Sequence, residues 1–186
     1  FVLRTCDLDA IIRQAVRRFA GEFITRKLKL CYEPLNAACV TDEKWLLFVV
    51  EQVLSNALKY TREGSITITM EHPKTLVIRD TGIGIPKDKQ GMIFERFAQA
   101  SRAVDSNMKG SGIGLSLCRD IVTLHHGEIS VDSRPGEGAS FTVKLKLGNA
   151  HFGMEQIDFS GAGAGEGKRR DDYMVSDFTA ADSQRR

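Results

Sequence analysis

The stretch Asp80-Thr81-Gly82-Ile83-Gly84-Ile85-Pro86 constrains this chain most. It follows the apolar run Thr75-Leu76-Val77-Ile78, which predicts a strand bounded on its other side by His72-Pro73-Lys74. The strand delivers a lone carboxylate, Asp80, to its exit. Two glycines then let the backbone turn tightly and approach a ligand, and Pro86 fixes the far side of the turn. An ionised carboxylate only accepts hydrogen bonds, so Asp80 suits a ligand donor such as an exocyclic amine. A D-x-G-x-G turn standing alone is more often plain backbone architecture than a ligand site. The rest of the chain decides between the two.

Around that turn the sequence alternates between helical and extended patterns. Leu8, Ile11, Ile12, Ala15, Val16 and Phe19 predict a helix from Asp7 to Glu22, capped by Asp7 and ending near Gly21, with Arg13, Arg17 and Arg18 on a solvated face. Lys27 to Tyr32 alternates as a half-buried strand, and Ala38-Cys39-Val40 suggests another short one. A second helix runs from about Asp42 to Tyr60, with Leu46, Val49, Val50, Val53 and Ala57 on one face. Late in this helix Gln52, Asn56, Lys59 and Tyr60 share one side. Two amides, an ammonium and a phenol along one helix edge point to a ligand rather than to a bare solvated rim.

Ser65 to Met70 alternates strictly, so it forms an antiparallel hairpin with the Asp80 strand. Beyond Pro86, Phe94 and Phe97 lie one helical turn apart and predict a short helix pinned to the core. The polar stretch from Ala100 to Lys109 has no periodicity and leads into a second glycine loop, Gly110-Ser111-Gly112-Ile113-Gly114-Leu115. That loop opens a helix running to His125-His126-Gly127, and both histidines are expected as residues of the helix end. Helix N-termini present free N–H groups and a positive dipole end, so this one is a candidate phosphate site. Glu128 to Ser133 is a strand, Arg134 to Gly138 a turn, and Ala139 to Leu147 the closing strand.

With 186 residues, 42% of them hydrophobic, the chain suits one domain with a proper core and some extra length. The break comes at Gly148. We expect a catalytic-type domain over 1–148 and an extension or linker over 149–186, marked by Gly161-Ala162-Gly163-Ala164-Gly165 and the charge block Lys168 to Asp172. Lys+Arg is 26 against 24 Asp+Glu, a balance that gives no reason to invoke nucleic acid. No apolar run is long enough to cross a bilayer, so no direct membrane contact is expected of this segment. Cys6, Cys31, Cys39 and Cys118 form no C-x-x-C pair, which favours reduced thiols in a cytoplasmic segment.

A purine nucleotide triphosphate accounts for both glycine loops, the strand-end carboxylate and the amide-bearing helix edge. Asp80 accepts from the adenine amine, the helix opened by Gly112 holds phosphate, Lys59 adds a point charge, and Asn56 binds a bridging Mg2+. A dinucleotide fold is the rival for the second loop. It requires a preceding strand and a G-x-G-x-x-G register, and Gly110-Ser111-Gly112-Ile113-Gly114 has neither.

These motifs together resemble the ATP-binding catalytic domain of sensor histidine kinases, in the GHKL superfamily, over about residues 5–147. Gln52 to Thr61 looks like the asparagine box, and Asp80 to Pro86 matches the first glycine box. Ile93-Phe94-Glu95-Arg96-Phe97 matches the phenylalanine box, Gly110 to Leu115 the second glycine box, and Gly136-Glu137-Gly138-Ala139-Ser140-Phe141 the last glycine turn. The resemblance implies an α+β fold: a two-layer α/β sandwich with a mixed, mostly antiparallel sheet packed on three helices. It also implies ATP held under a lid over about Lys87 to Lys109.

By the same resemblance Asn56 is the Mg2+ ligand and, with Lys59, a catalytic residue. The nucleotide contacts it implies are Gln52, Asn56, Lys59, Tyr60, Asp80, Gly82, Gly84, Ile85, Gly110, Ser111, Gly112, Ile113, Gly114, Leu115 and Ser140. Partners follow: a dimerisation domain bearing the phosphoacceptor histidine and a downstream response-regulator receiver domain, with the parent chain anchored in the cell membrane.

Two departures stand out. Gln52 occupies a place where many members carry Asn, and no His-Glu helix motif supplies a phosphoacceptor, so Phe1 is expected to begin beyond the hairpin that carries it. The other readings are a GHKL-type ATPase that drives conformational change and a non-catalytic ATP-binding module. Dedicated ATPases of the superfamily use a glutamate where this chain has Gln52. Glu51 is adjacent but turned about 100° around the helix.

Overall fold

The computed structural model describes residues 2–71, 75–96 and 113–145. Its elements in order are β1 (Arg4–Asp7), α1 (Leu8–Thr25), β2 (Lys29–Tyr32), β3 (Ala38–Thr41), α2 (Glu43–Tyr60), β4 (Ser65–Met70) and β5 (Thr75–Asp80). Then come α3 (Lys87–Gln90), a 3-10 turn at Met92–Phe94, α4 (Gly114–Leu124), β6 (Glu128–Arg134) and β7 (Gly138–Lys144).

Five strands form one sheet in the order β2-β4-β5-β7-β6. Only β2 and β4 run parallel, joined through α2, and the other neighbours are antiparallel. Alternation drives the main hairpin: Ile66 and Ile68 point inward from β4, while Ile78 and Leu76 answer from β5. From β7, Ala139, Phe141 and Val143 join the same buried face. Helices α1, α2 and α4 cover that face, with α2 central and packed against both others. Leu54, Leu58, Val49, Val50 and Val53 of α2 are fully buried. A two-layer α+β architecture results, as expected.

Three local details differ from the pattern in the sequence. A strand, β1, precedes α1 and pairs antiparallel with β3, forming a separate two-stranded ribbon. Helix α1 runs on past Gly21 to Thr25, because buried Phe23 extends its apolar face by one more turn. Lys87–Gln90, expected only as part of a lid, forms a helical turn. The caps are as the sequence suggests: Asp7 accepts from Asp9 N at 2.9 Å and Asp42 from Lys44 N at 3.1 Å. Phe94 is buried and meets Phe141 edge-on, with ring centroids 6.4 Å apart. Its expected companion Phe97 lies outside the described residues.

Two buried carboxylates organise opposite ends of the molecule. Asp9, on the first turn of α1, accepts from the Tyr32 hydroxyl, from Leu35 N at 2.7 Å and from Asn36 N at 2.8 Å. It thereby ties the 33–37 loop to the helix. Asp80 lies at the far end of β5. Between them, Arg26 caps the end of α1, and its guanidinium donates to the carbonyls of Leu58 and Thr61, the latter at 2.7 Å. The closing turn of α2 therefore has its free carbonyls answered from 32 and 35 residues upstream in the chain.

Candidate nucleotide site

Asp80 exits β5 with its side chain on the buried face, only 4% exposed. Its Oδ1 accepts from Gly82 N at 2.8 Å and from Ala139 N at 3.2 Å. Burial pushes its carboxyl above the ordinary range, while the two main-chain donors and the neighbouring Thr61 hydroxyl pull the other way. Both amides converge on Oδ1, and among the described residues no main-chain amide is seen to reach Oδ2.

The first glycine turn is fixed from three sides. Ile83 N donates to Tyr60 O at 3.2 Å, joining the turn to the end of α2. Gly136 N donates to Ile83 O at 2.7 Å, and Ile85 N to Ser133 Oγ at 2.8 Å. Gln90 then bridges Ile85 O and Ser133 O at 2.8 and 2.7 Å. Gly84 takes φ +73, and a Cβ there would stand 2.0 Å from Arg134 O, so only glycine fits. Gly138 is equally constrained: φ is +86 and a Cβ would fall 1.9 Å from Asp80 O. That close approach lets the next residue, Ala139, put its N–H on the carboxylate.

The polar edge of α2 forms as expected. Gln52, Asn56, Lys59 and Tyr60 are all partly buried along one side. The Lys59 ammonium lies 5.2 Å from the centroid of the Tyr60 ring. Gln52 lies directly against the second glycine loop, since a Cβ on Gly114 would meet its Oε1 at 2.3 Å. Gln52 thus takes part in the junction between α2 and the start of α4. Asn56 is half-buried on the same edge, one turn after Gln52.

Helix α4 starts at Gly114 with Ile113 as its N-cap, and no side chain caps it. Its first intrahelical bond in the 1–5 pattern is Leu117 N to Ile113 O at 3.0 Å. The N–H groups of Gly114, Leu115 and Ser116 thus start the helix without intrahelical acceptors, as a phosphate site requires. Ile113 is 44% exposed, while Leu115 packs on the core. Gly110, Ser111 and Gly112 lie outside the described residues, as does most of the lid expected over Lys87 to Lys109.

Ser140 lies on the outer face of β7. It pairs directly with Arg79 and Asp132, both exposed, and so faces away from the helix layer and from Asp80. Ala139, one position earlier, turns inward and puts its N–H on Asp80. The sequence reading also missed Thr61, whose hydroxyl is fully buried beside Asp80. His125 forms the C-cap of α4, as expected of a helix end. Cys6, Cys39 and Cys118 are buried free thiols, the last two pushed up to about 12 by burial. Among the described residues no His, Cys, Asp and Glu group has the makings of a metal cluster.

A strand-end carboxylate, a polar helix edge and an uncapped helix start, all at one end of a two-layer sandwich, define a GHKL-type ATP-binding domain. Residues 41–149 match the family of histidine kinase-, DNA gyrase B- and HSP90-like ATPases, and the chain belongs to it. Curated relatives include the sensor histidine kinase RcsC of Escherichia coli (strain K12), 37% identical over 114 residues, covering 60% of this chain and 12% of RcsC. The adaptive-response sensory kinase SasA of Synechocystis sp. is 38% identical over 151 residues, covering 77% of this chain and 39% of SasA. This chain therefore spans well under half of either relative. Among solved structures, the mycobacterial sensor histidine kinase MprB has a TM-score of 0.60 at 26% identity, covering 77% of this chain and 97% of that one. The catalytic domain of histidine kinase ThkA shares the fold with a TM-score of 0.67 at 24% identity, covering 78% and 97%.

Proposed function

We propose that this domain binds ATP with Mg2+ and passes the γ-phosphoryl group to a histidine on a separate dimerisation domain, as part of a sensor histidine kinase. The observation that carries the reading is Asp80: a buried carboxylate, one oxygen fixed by two main-chain amides, the other left for a base amine. Tyr60 lies at the same end of α2 to cover the base. Lys59 and the start of α4 face the phosphates. The Asn56 amide oxygen, on the same edge, is the donor we assign to Mg2+, with Gln52 keeping the neighbouring glycine loop in place. A bound Mg2+ would neutralise phosphate charge, and the protein's own part is positioning and electrostatic stabilisation.

The downstream partner is a receiver domain, and the working side is the cytoplasm, with the parent chain held at the cell membrane. Among the described residues no helix is long and apolar enough to cross a membrane. We assign residues 1–148 to the catalytic domain and 149–186 to an extension, so removing the latter leaves nucleotide affinity nearly unchanged.

The ATPase alternative loses its best candidate base in this geometry. Glu51 is paired with Arg18 at 3.1 Å, turned towards α1. The deciding experiment is calorimetry of Mg-ATP binding to the wild type and to Asn56→Asp, followed by phosphoryl transfer to a histidine-bearing helix hairpin. Magnesium-dependent binding that the substitution disturbs, and label on the hairpin, support the reading. Absence of ATP binding in millimolar nucleotide would leave a non-catalytic module.

A further inference from the structure

Thr61 closes α2 with a hydroxyl that is fully buried and makes no hydrogen bond among the described residues. An unsatisfied buried hydroxyl is unusual and needs a physical reason. It lies beside Asp80 and favours the charged carboxylate. The main chain at this point is tightly placed. A Cβ on Gly82 would stand 2.4 Å from Tyr60 O and 2.9 Å from Asp80 Oδ1, so the end of α2 and the carboxylate press on the same glycine. Arg26 holds the Thr61 carbonyl at 2.7 Å, which keeps the residue from drifting away.

A free carboxylate does not by itself distinguish purines. Guanine offers two adjacent N–H donors that suit both oxygens of a carboxylate, whereas adenine offers one exocyclic amine beside an acceptor nitrogen. In this site Oδ1 already takes two main-chain amides. A guanine would bring a second donor with no oxygen to meet it, and burying that donor is costly.

We propose that Thr61 is a positioning residue for Asp80, whose hydroxyl donates to the carboxylate once a base engages Oδ2, so that the pair reads a nucleobase through one amine donor. This rests on the nucleotide-binding reading above. The buried hydroxyl does not touch the base. It acts by holding the acceptor oxygen in place and in its charged form.

The test is competition binding of ATP, inosine triphosphate and GTP to the wild type, Thr61→Val and Thr61→Ser, with melting temperatures measured alongside. Inosine triphosphate keeps every phosphate contact and lacks the amine. The wild type is expected to prefer ATP over both competitors. Thr61→Val should weaken ATP about tenfold and inosine triphosphate less than twofold, the scale of one hydrogen bond to a charged group. Thr61→Ser should restore the ratio. Equal losses for ATP and inosine triphosphate in Thr61→Val would make Thr61 merely structural and overturn the proposal, as would an unchanged ratio. Wild-type protein that binds ATP and inosine triphosphate alike would remove the amine-reading role of Asp80 while leaving nucleotide binding intact. Wild type that binds none of the three would overturn the underlying reading as well.

Discussion

Asp9 and Asp80 are 5% and 4% exposed, yet their carboxyls are shifted in opposite directions. Burial raises both. At Asp9 the Tyr32 hydroxyl, the amides of Leu35 and Asn36, and Arg13 outweigh it, and the group lies below the usual range. At Asp80 two amides converge on a single oxygen and burial wins. Asp80 is the more deeply desolvated of the two, and Asp9 is the more fully paired, with donors on both oxygens. A fully paired buried carboxylate holds a loop. One whose donors gather on a single oxygen has acceptor capacity to spare, the property on which the proposed binding role of Asp80 rests.

The sharpest way to break the comparison is to neutralise each group. Asp80→Asn should lower ATP affinity about 100-fold, because a charged acceptor for the base is lost, while the melting temperature of the free domain holds or rises. Titration calorimetry and thermal melts read the two effects separately. Asp9→Asn should do the reverse: a loss of about 2 kcal/mol in stability with ATP affinity kept, since the new NH2 group faces a main-chain N–H that needs an acceptor. Urea denaturation measures it. Equal effects of the two substitutions on binding would end the distinction.

Acidity gives a third, smaller handle. Asp9 has its folded pKa below 3.8, so its stabilisation is complete above that value and drains as pH falls through the folded pKa. The melting gap between wild type and Asp9→Asn should therefore close in strong acid. Asp80 has its folded pKa above 3.8, so its protonation is favoured in the folded state. Acidification through that pKa towards 3.8 should stabilise the free wild type relative to Asp80→Asn and weaken ATP over the same window. Thermal melts with and without nucleotide across pH would show both trends.

Glu51 supplies the smallest expected effect. Its carboxylate pairs with Arg18 across a largely exposed surface on the Arg18 side. Glu51→Ala should cost about 0.5 kcal/mol or less and leave ATP turnover unchanged. A large fall in turnover would place a third carboxylate in the chemistry and favour the ATPase alternative.

Much of this was legible in the residues. The 3.6-residue period from Leu46 to Leu58 gave α2 and its polar edge, and strict alternation gave the β4–β5 hairpin and so the position of Asp80. Strand β1 was not legible, because only Cys6 of its four residues is buried and its partner β3 lies more than 30 residues away. Ser140 and Ala139 lie on opposite faces of β7, since in a strand one position changes the face. The amide of Ala139 carries no signature, since every residue other than proline has an N–H. Thr61 was the missed opportunity: a hydroxyl at the close of the helix, the last residue of a box already identified.

The family match begins at residue 41, but the reach of Arg26 does not respect that border. A fragment trimmed to the matched span would lose β1, α1, β2 and most of β3, and with them the guanidinium that answers Leu58 O and Thr61 O. The part of the chain outside the recognisable signature thus finishes the helix end that carries it. In practical terms the smallest piece worth expressing is larger than the smallest piece one can recognise, and it starts no later than β1.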